Sequence, residues 1–89
     1  MKIGEKISKE DRELIVTYLC KQGEYSKTTF RQATKKAWEA TGTETAIGTV
    51  NTTLHGYSPF TQLTLPVMKE LKKMAQKAKR EFEKAQKVA

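Results

Sequence analysis

The sequence predicts an all-α fold, a small four-helix domain that ends in a long C-terminal helix. Three observations lead there. Apolar side chains recur at three- and four-residue intervals in four separate segments, the period of one helix face. Gly23, Gly42, Gly56 and the Ser58-Pro59 pair fall between those segments, where helix breakers belong. Towards the end of the chain, Leu71, Ala75, Ala78, Phe82, Ala85 and Ala89 alternate in steps of four and three, the spacing of a heptad seam. The 89 residues make one domain, which buries about 60–65% of the surface its unfolded chain exposes. An apolar content of 37% beside 30% charged residues fits a globular chain with one modest core.

The first helix is expected from about Lys9 to Gln22. Ser8 followed by Asp11 resembles a capping box with Asp in place of Glu, Leu14, Ile15, Tyr18 and Leu19 form its buried stripe, and Gly23 ends it. Cys20 lies beside that stripe as a small core filler. The second helix is expected from Lys27 to Thr41, with Ser26 as cap and Gly42 as terminator. Phe30, Ala33, Ala37 and Trp38 mark its inner face, while Arg31, Lys35 and Lys36 point elsewhere. A lone Trp on an apolar stripe belongs in a core more often than on a base-stacking surface.

A third helix is expected within Thr43 to Gly56, capped by Thr43. Ile47, Val50 and Leu54 share one face at i, i+3, i+7 spacing. The other face carries Thr45, Thr49 and Thr52, flanked by Asn51 and His55, with no acidic group beyond Glu44. Solvated helix faces normally carry Glu and Lys; this one is short, neutral and rich in hydrogen-bonding groups. Gly48 and the β-branched residues weaken the helix, but a strand would mix Ile47 with Thr49 and Asn51 on one face, so the helix segregates the chain better. Residues 56–65 read as a turn and irregular loop, with room for a short two-stranded wing that turns Leu63 and Leu65 inward. Thr64 and Pro66 then open a fourth helix, expected from about Pro66 to Lys87. It begins on the first two helices and projects beyond them. Residues 1–66 thus form the core and 67–89 a basic helix of the same domain, whose Leu71, Ala75, Ala78 and Phe82 serve either packing or dimerisation.

The net charge is +7, and it is unevenly placed. Residues 1–65 carry nine Lys or Arg against seven acids, whereas residues 66–89 carry eight against three. An acidic partner is implied, nucleic acid first among them. No apolar run approaches the roughly 20 residues that span a bilayer, and the opening residues lack the apolar core of a secretory signal. Cys20 is the only cysteine and His55 the only histidine, too few for a disulfide or a zinc site. A cytoplasmic protein without cofactor, metal or small-molecule ligand is expected. An enzyme is not, because nothing supplies His55 with a partner nucleophile or metal ligand.

Thr49-Val50-Asn51-Thr52-Thr53-Leu54-His55-Gly56 resembles the recognition helix of the lac-repressor and lambda-repressor-like DNA-binding families, whose pattern there is T-V-S-R-V-L-N-G. The likeness extends over about 25 residues, because a loop and a further helix follow in both, the helix here starting at Pro66. It implies a helix-turn-helix in which the second and third helices pair and the third enters the major groove. Carried over position by position, it implies that Gly48, Thr52, Asn51 and His55 face the groove. The chain departs from the pattern in several places. Glu44 stands where the turn glycine should be, so Ala37 and Gly42 become the counterparts and the turn is longer by about two residues. Thr52 replaces the family's Arg. Ile47, at a reading position in the family, belongs to the core face here.

Together, helical phase and resemblance nominate Thr45, Gly48, Thr49, Asn51, Thr52 and His55 as base-reading residues. Thr methyls suit thymine methyls, Asn51 suits adenine, and Gly48 admits close backbone approach. Lys27, Thr28, Thr29, Arg31, Lys35, Lys36, Tyr57 and Ser58 are nominated for phosphate. A module this small buries only about 600–1,000 Å² on DNA, so two copies on one site are expected. The expectation is a sequence-specific double-stranded DNA-binding regulator, a repressor acting as a homodimer. The alternative is a protein-interaction module that modulates a host factor through the Ala/Phe seam of the last helix.

Overall fold

Ser8 opens the first helix as expected. Its Oγ accepts the Asp11 N–H at 3.1 Å, and its carbonyl accepts the Arg12 N–H at 3.0 Å. The Asp11 carboxylate does not turn back to complete the box; it reaches Lys72 Nζ of the last helix at 3.1 Å. The computed structural model describes residues 1–20 and 30–88. Within them the order is α1 (Lys9–Ile15), a π-helical turn (Val16–Cys20), α2 (Phe30–Thr41), α3 (Ile47–Leu54) and α4 (Thr64–Val88). The expected ends of the first helix at Gln22 and Gly23, and the Ser26 cap of the second, lie outside the described residues.

The fold is all-helical, and no strand occurs among the described residues, so the wing is not formed. In its place, Phe60 pairs through its backbone with the N-terminal turn. The Gly4 N–H donates to the Phe60 carbonyl at 2.9 Å, and the Phe60 N–H donates to the Glu5 carbonyl at 2.8 Å. Phe60 is buried and Leu63 exposed, the reverse of the inward orientation expected for Leu63, whereas Leu65 packs partly against the core as expected.

The first helix keeps its expected stripe but changes pitch. Ile15 and Leu19 are buried, and Leu14, Tyr18 and Cys20 pack partly against the core. After Ile15 the chain widens into the π turn, which keeps Leu19 facing inward. In α2, Ala33 and Ala37 are fully buried and Phe30 and Trp38 partly so, with Trp38 against the core cluster. The buried Thr34 hydroxyl is satisfied by the Phe30 carbonyl at 2.9 Å, one turn back. The small alanines let α2 lie close to α4, against which it makes its most extensive contact.

Long α4 is the spine. Its 25 residues extend about 37 Å at 1.5 Å per residue, close to the 42 Å long axis of the molecule. Its start is fixed by a reciprocal threonine box. The Thr64 N–H donates to Thr61 Oγ1 at 3.2 Å, and the Thr61 N–H donates to Thr64 Oγ1 at 2.8 Å. Two of the first-turn N–H groups that a helix leaves unpaired are thereby satisfied. Pro66 sits in that first turn, where a missing N–H costs little. Val67, Met68, Leu71 and Ala75 are completely buried beside Ile15, Ala33, Ala37, Val50 and Leu54.

Leu71 and Ala75 are therefore core residues of the single chain, not the dimer contacts they were nominated to be. Ala78 and Phe82 are half-buried, and the Phe82 ring lies 6.3 Å from that of Tyr18, tilted at 59°. The seam is apolar because α1 and α2 cover it. Of the two roles open to the heptad seam, packing or dimerisation, Leu71 and Ala75 take packing.

Candidate nucleic-acid interface

The segment between α2 and α3 sets the exposure of the third helix. Gly42 ends α2 at φ +69°, its N–H bonded to the Trp38 carbonyl at 2.8 Å, a conformation that suits glycine. Residues 43–46 then run without helix, so that with Gly42 the connection has five residues, longer than a three- or four-residue turn. Thr43 does not cap α3. Its N–H donates to Thr41 Oγ1 at 3.3 Å, and the cap position falls to Ala46, which makes no side-chain cap bond.

Thr45 is likewise removed from the candidate surface. It is only 6% exposed, and its hydroxyl donates to the Leu63 carbonyl at 3.2 Å, tying the connection to the start of α4. The sequence placed Thr45 on the neutral face by extending the helical phase two residues too far. The helix begins at Ile47, so that phase does not apply to Thr45.

From Ile47 onward the expected segregation is clear. Val50 and Leu54 are fully buried, and Ile47 is partly so. Thr53 joins them, its hydroxyl satisfied by the Thr49 carbonyl at 2.9 Å. Gly48, Thr49, Asn51 and His55 are exposed and Thr52 is half-buried. The Thr52 hydroxyl donates back to the Gly48 carbonyl at 2.8 Å, leaving its methyl and an oxygen lone pair for any ligand. A Cβ built on Gly48 meets nothing within 4 Å, so the outer surface of α3 is open there.

The helix closes in a Schellman motif. The Gly56 N–H donates to the Thr53 carbonyl and the Tyr57 N–H to the Thr52 carbonyl, each at 3.1 Å, with Gly56 at φ +80°. This turn throws Tyr57 outward at 79% exposure, immediately beyond the neutral face. Ser58 is half-buried behind it.

The basic nominees divide. Arg31, Lys35 and Lys36 are exposed on α2, whereas Lys27, Thr28 and Thr29 lie outside the described residues. Lys35 borders an open depression of about 420 Å³ that it shares with Trp38, Glu39, Gly42 and Glu44. Two carboxylates on that rim oppose a phosphate, so Arg31 and Lys36 are better placed for one. The Trp38 indole N–H is buried and has no hydrogen-bond partner among the described residues.

Among the described residues, no three His, Cys, Asp or Glu side chains gather as a metal site would require. Burial pushes the Cys20 thiol up to about 11, which makes it a poor nucleophile at neutral pH. No helix among the described residues is long and apolar enough to cross a membrane.

Comparison with protein families, with curated proteins and with solved structures yields no match for this chain. Fold and surface by themselves define a small all-helical basic protein. Its third helix is braced from behind by α2 and α4 and presents an outer face without a formal charge.

Proposed function

We propose that this protein binds double-stranded DNA sequence-specifically through the outer face of α3, as a small transcriptional regulator of the repressor kind. One observation carries the proposal. Gly48, Thr49, Asn51, Thr52 and His55 form an accessible strip of short, uncharged, hydrogen-bonding side chains on a helix that contains no charged residue, in a chain of net charge +7. An accessible helix in a basic protein ordinarily carries charge; omitting it suits the donors, acceptors and methyl groups of the major groove.

In this arrangement Asn51 pairs with an adenine edge, and the Thr49 and Thr52 methyl groups meet thymine. His55 donates to phosphate or a guanine acceptor, and the absent side chain at Gly48 admits the groove wall. Arg31, Lys36 and Tyr57 contact the flanking phosphates, joined by the uncapped first N–H groups of α3. A homodimer would raise affinity on a symmetric site, using a surface other than the Leu71 and Ala75 seam.

Selection from a random duplex pool tests the proposal. The expected result is an enriched motif in which Asn51→Ala loses discrimination at one A·T position, by about 5- to 150-fold for a contact worth about 1–3 kcal/mol. A pool with no enrichment overturns it. The second reading, a protein-interaction module, draws on Ile3, Tyr57 and Leu63, which are exposed around the paired N-terminal turn and the 57–63 loop. It predicts that the duplex pool yields no motif and that Leu63→Ser abolishes capture of a protein partner.

A further inference from the structure

We infer that α4 carries a second, sequence-independent contact surface, a cationic track for the phosphate backbone of duplex DNA. Lys69, Lys73, Lys77, Arg80 and Lys84 follow one another at intervals of four, four, three and four residues, and all five are exposed. At 3.6 residues per turn these intervals hold the five charges within an arc of about 80°, over about 22 Å of helix. No carboxylate falls inside that arc. Glu70 and Glu81 flank it on one side and Glu83 on the other, and Glu70 meets Lys73 of the track at 4.0 Å. Lys72, on the flank, is engaged by Asp11. The track lies opposite Val67, Leu71 and Ala75, so the packing that buries one side of α4 aims the cations at solvent.

The chemistry of the track selects its occupant. A helix that lies on a membrane needs a free apolar face to sink into the acyl boundary. The apolar face of α4 is buried in the core from Val67 to Ala75 and half-buried at Ala78 and at Phe82, which lies against Tyr18, leaving only the small Ala85 exposed along it among the described residues. A protein partner needs an apolar or aromatic anchor at the centre of its contact, and the arc holds none. A row of phosphates asks only for cations at regular spacing with displacement of counterions, and this track supplies them about every 4.5–6 Å. The inference rests on DNA as the partner but not on base reading by α3.

The test replaces Lys73, Lys77, Arg80 and Lys84 together with Gln, which preserves helix propensity. Binding to a random-sequence duplex and to a selected duplex is measured across salt concentrations. Each lost phosphate contact lowers the log–log salt slope by about 0.9, so the quadruple variant is expected to lose about 3–4 units of slope. Random-duplex affinity should fall at least tenfold at low salt, with an unchanged helical circular dichroism spectrum and unchanged motif preference. A variant that keeps the wild-type slope overturns the track, whatever α3 does. A wild type that selects no motif, beside a variant that loses slope, overturns base reading and leaves the track standing. Wild-type binding to phosphatidylserine vesicles as tight as to duplex, lost in the variant, reassigns the cations to a membrane and also overturns the inference.

Discussion

Gly48→Ala separates stability from DNA contact at a single position. Gly48 is the second residue of α3, and an added Cβ meets nothing within 4 Å. Alanine in a helix is favoured over glycine by about 0.5–1 kcal/mol, chiefly through the entropy of the unfolded chain. A site so near the helix start takes the lower figure. About 0.5 kcal/mol raises the Tm of a domain this size by about 2–4 °C. The effect on DNA has the opposite sign. If the groove wall approaches the α3 backbone at Gly48, the methyl group pushes the helix out and loses one base contact, worth about 1–3 kcal/mol, or about 5- to 150-fold in Kd. Thermal melts of the free protein and titration of a selected duplex read the two effects. A higher Tm with unchanged affinity refutes close approach at Gly48. A lower Tm refutes the open surface itself.

Other substitutions probe the remaining assignments. Thr45→Val removes the hydroxyl that holds the Leu63 carbonyl and should cost about 1 kcal/mol in denaturant melts without altering motif preference; a changed motif would return Thr45 to the interface. Leu71→Ala should cost about 2–5 kcal/mol, as a core truncation does. That loss relative to wild type should be the same at every protein concentration; a loss that changes with concentration would make Leu71 a dimer contact after all. At Cys20 the unfolded thiol ionises near its ordinary value of 9.0 and the folded one near 11. The unfolded state therefore holds fewer protons between those values, and stability should fall as pH rises from 9.0 towards 11. Cys20→Ala should flatten that part of the pH profile relative to wild type, and an identical slope in both proteins would refute the burial.

The helices were legible where periodicity and punctuation coincide. Ser8 caps α1, Gly42 ends α2, and the 47/50/54 stripe faces inward as spaced, fully buried at Val50 and Leu54 and partly at Ile47. The start of α3 was not legible, because Thr43 offers a good cap residue and only tertiary contact reveals the alternative. The Thr45 hydroxyl finds the Leu63 carbonyl 18 residues away, which holds residues 43–46 out of the helix. A bond at that separation leaves no local pattern. The partner of the α4 seam was legible only as a choice between packing and dimerisation. Leu71 and Ala75 have the same spacing whether a second copy or the chain's own α1 and α2 cover them, and small alanines at 33 and 37 are a weak hint of the latter. The basic excess was visible as a count, but the arc of cations required knowing which side of α4 is buried.

The groove-facing role of α3 is tested most directly by mapping backbone amide shifts of the isotopically labelled protein as a selected duplex is added. The predicted result is a cluster of large shifts at Gly48, Thr49, Asn51, Thr52 and His55, with smaller ones along Lys73 to Lys84. Shifts along α4 with an unmoved α3 would contradict sequence reading by this helix and leave only a cationic surface.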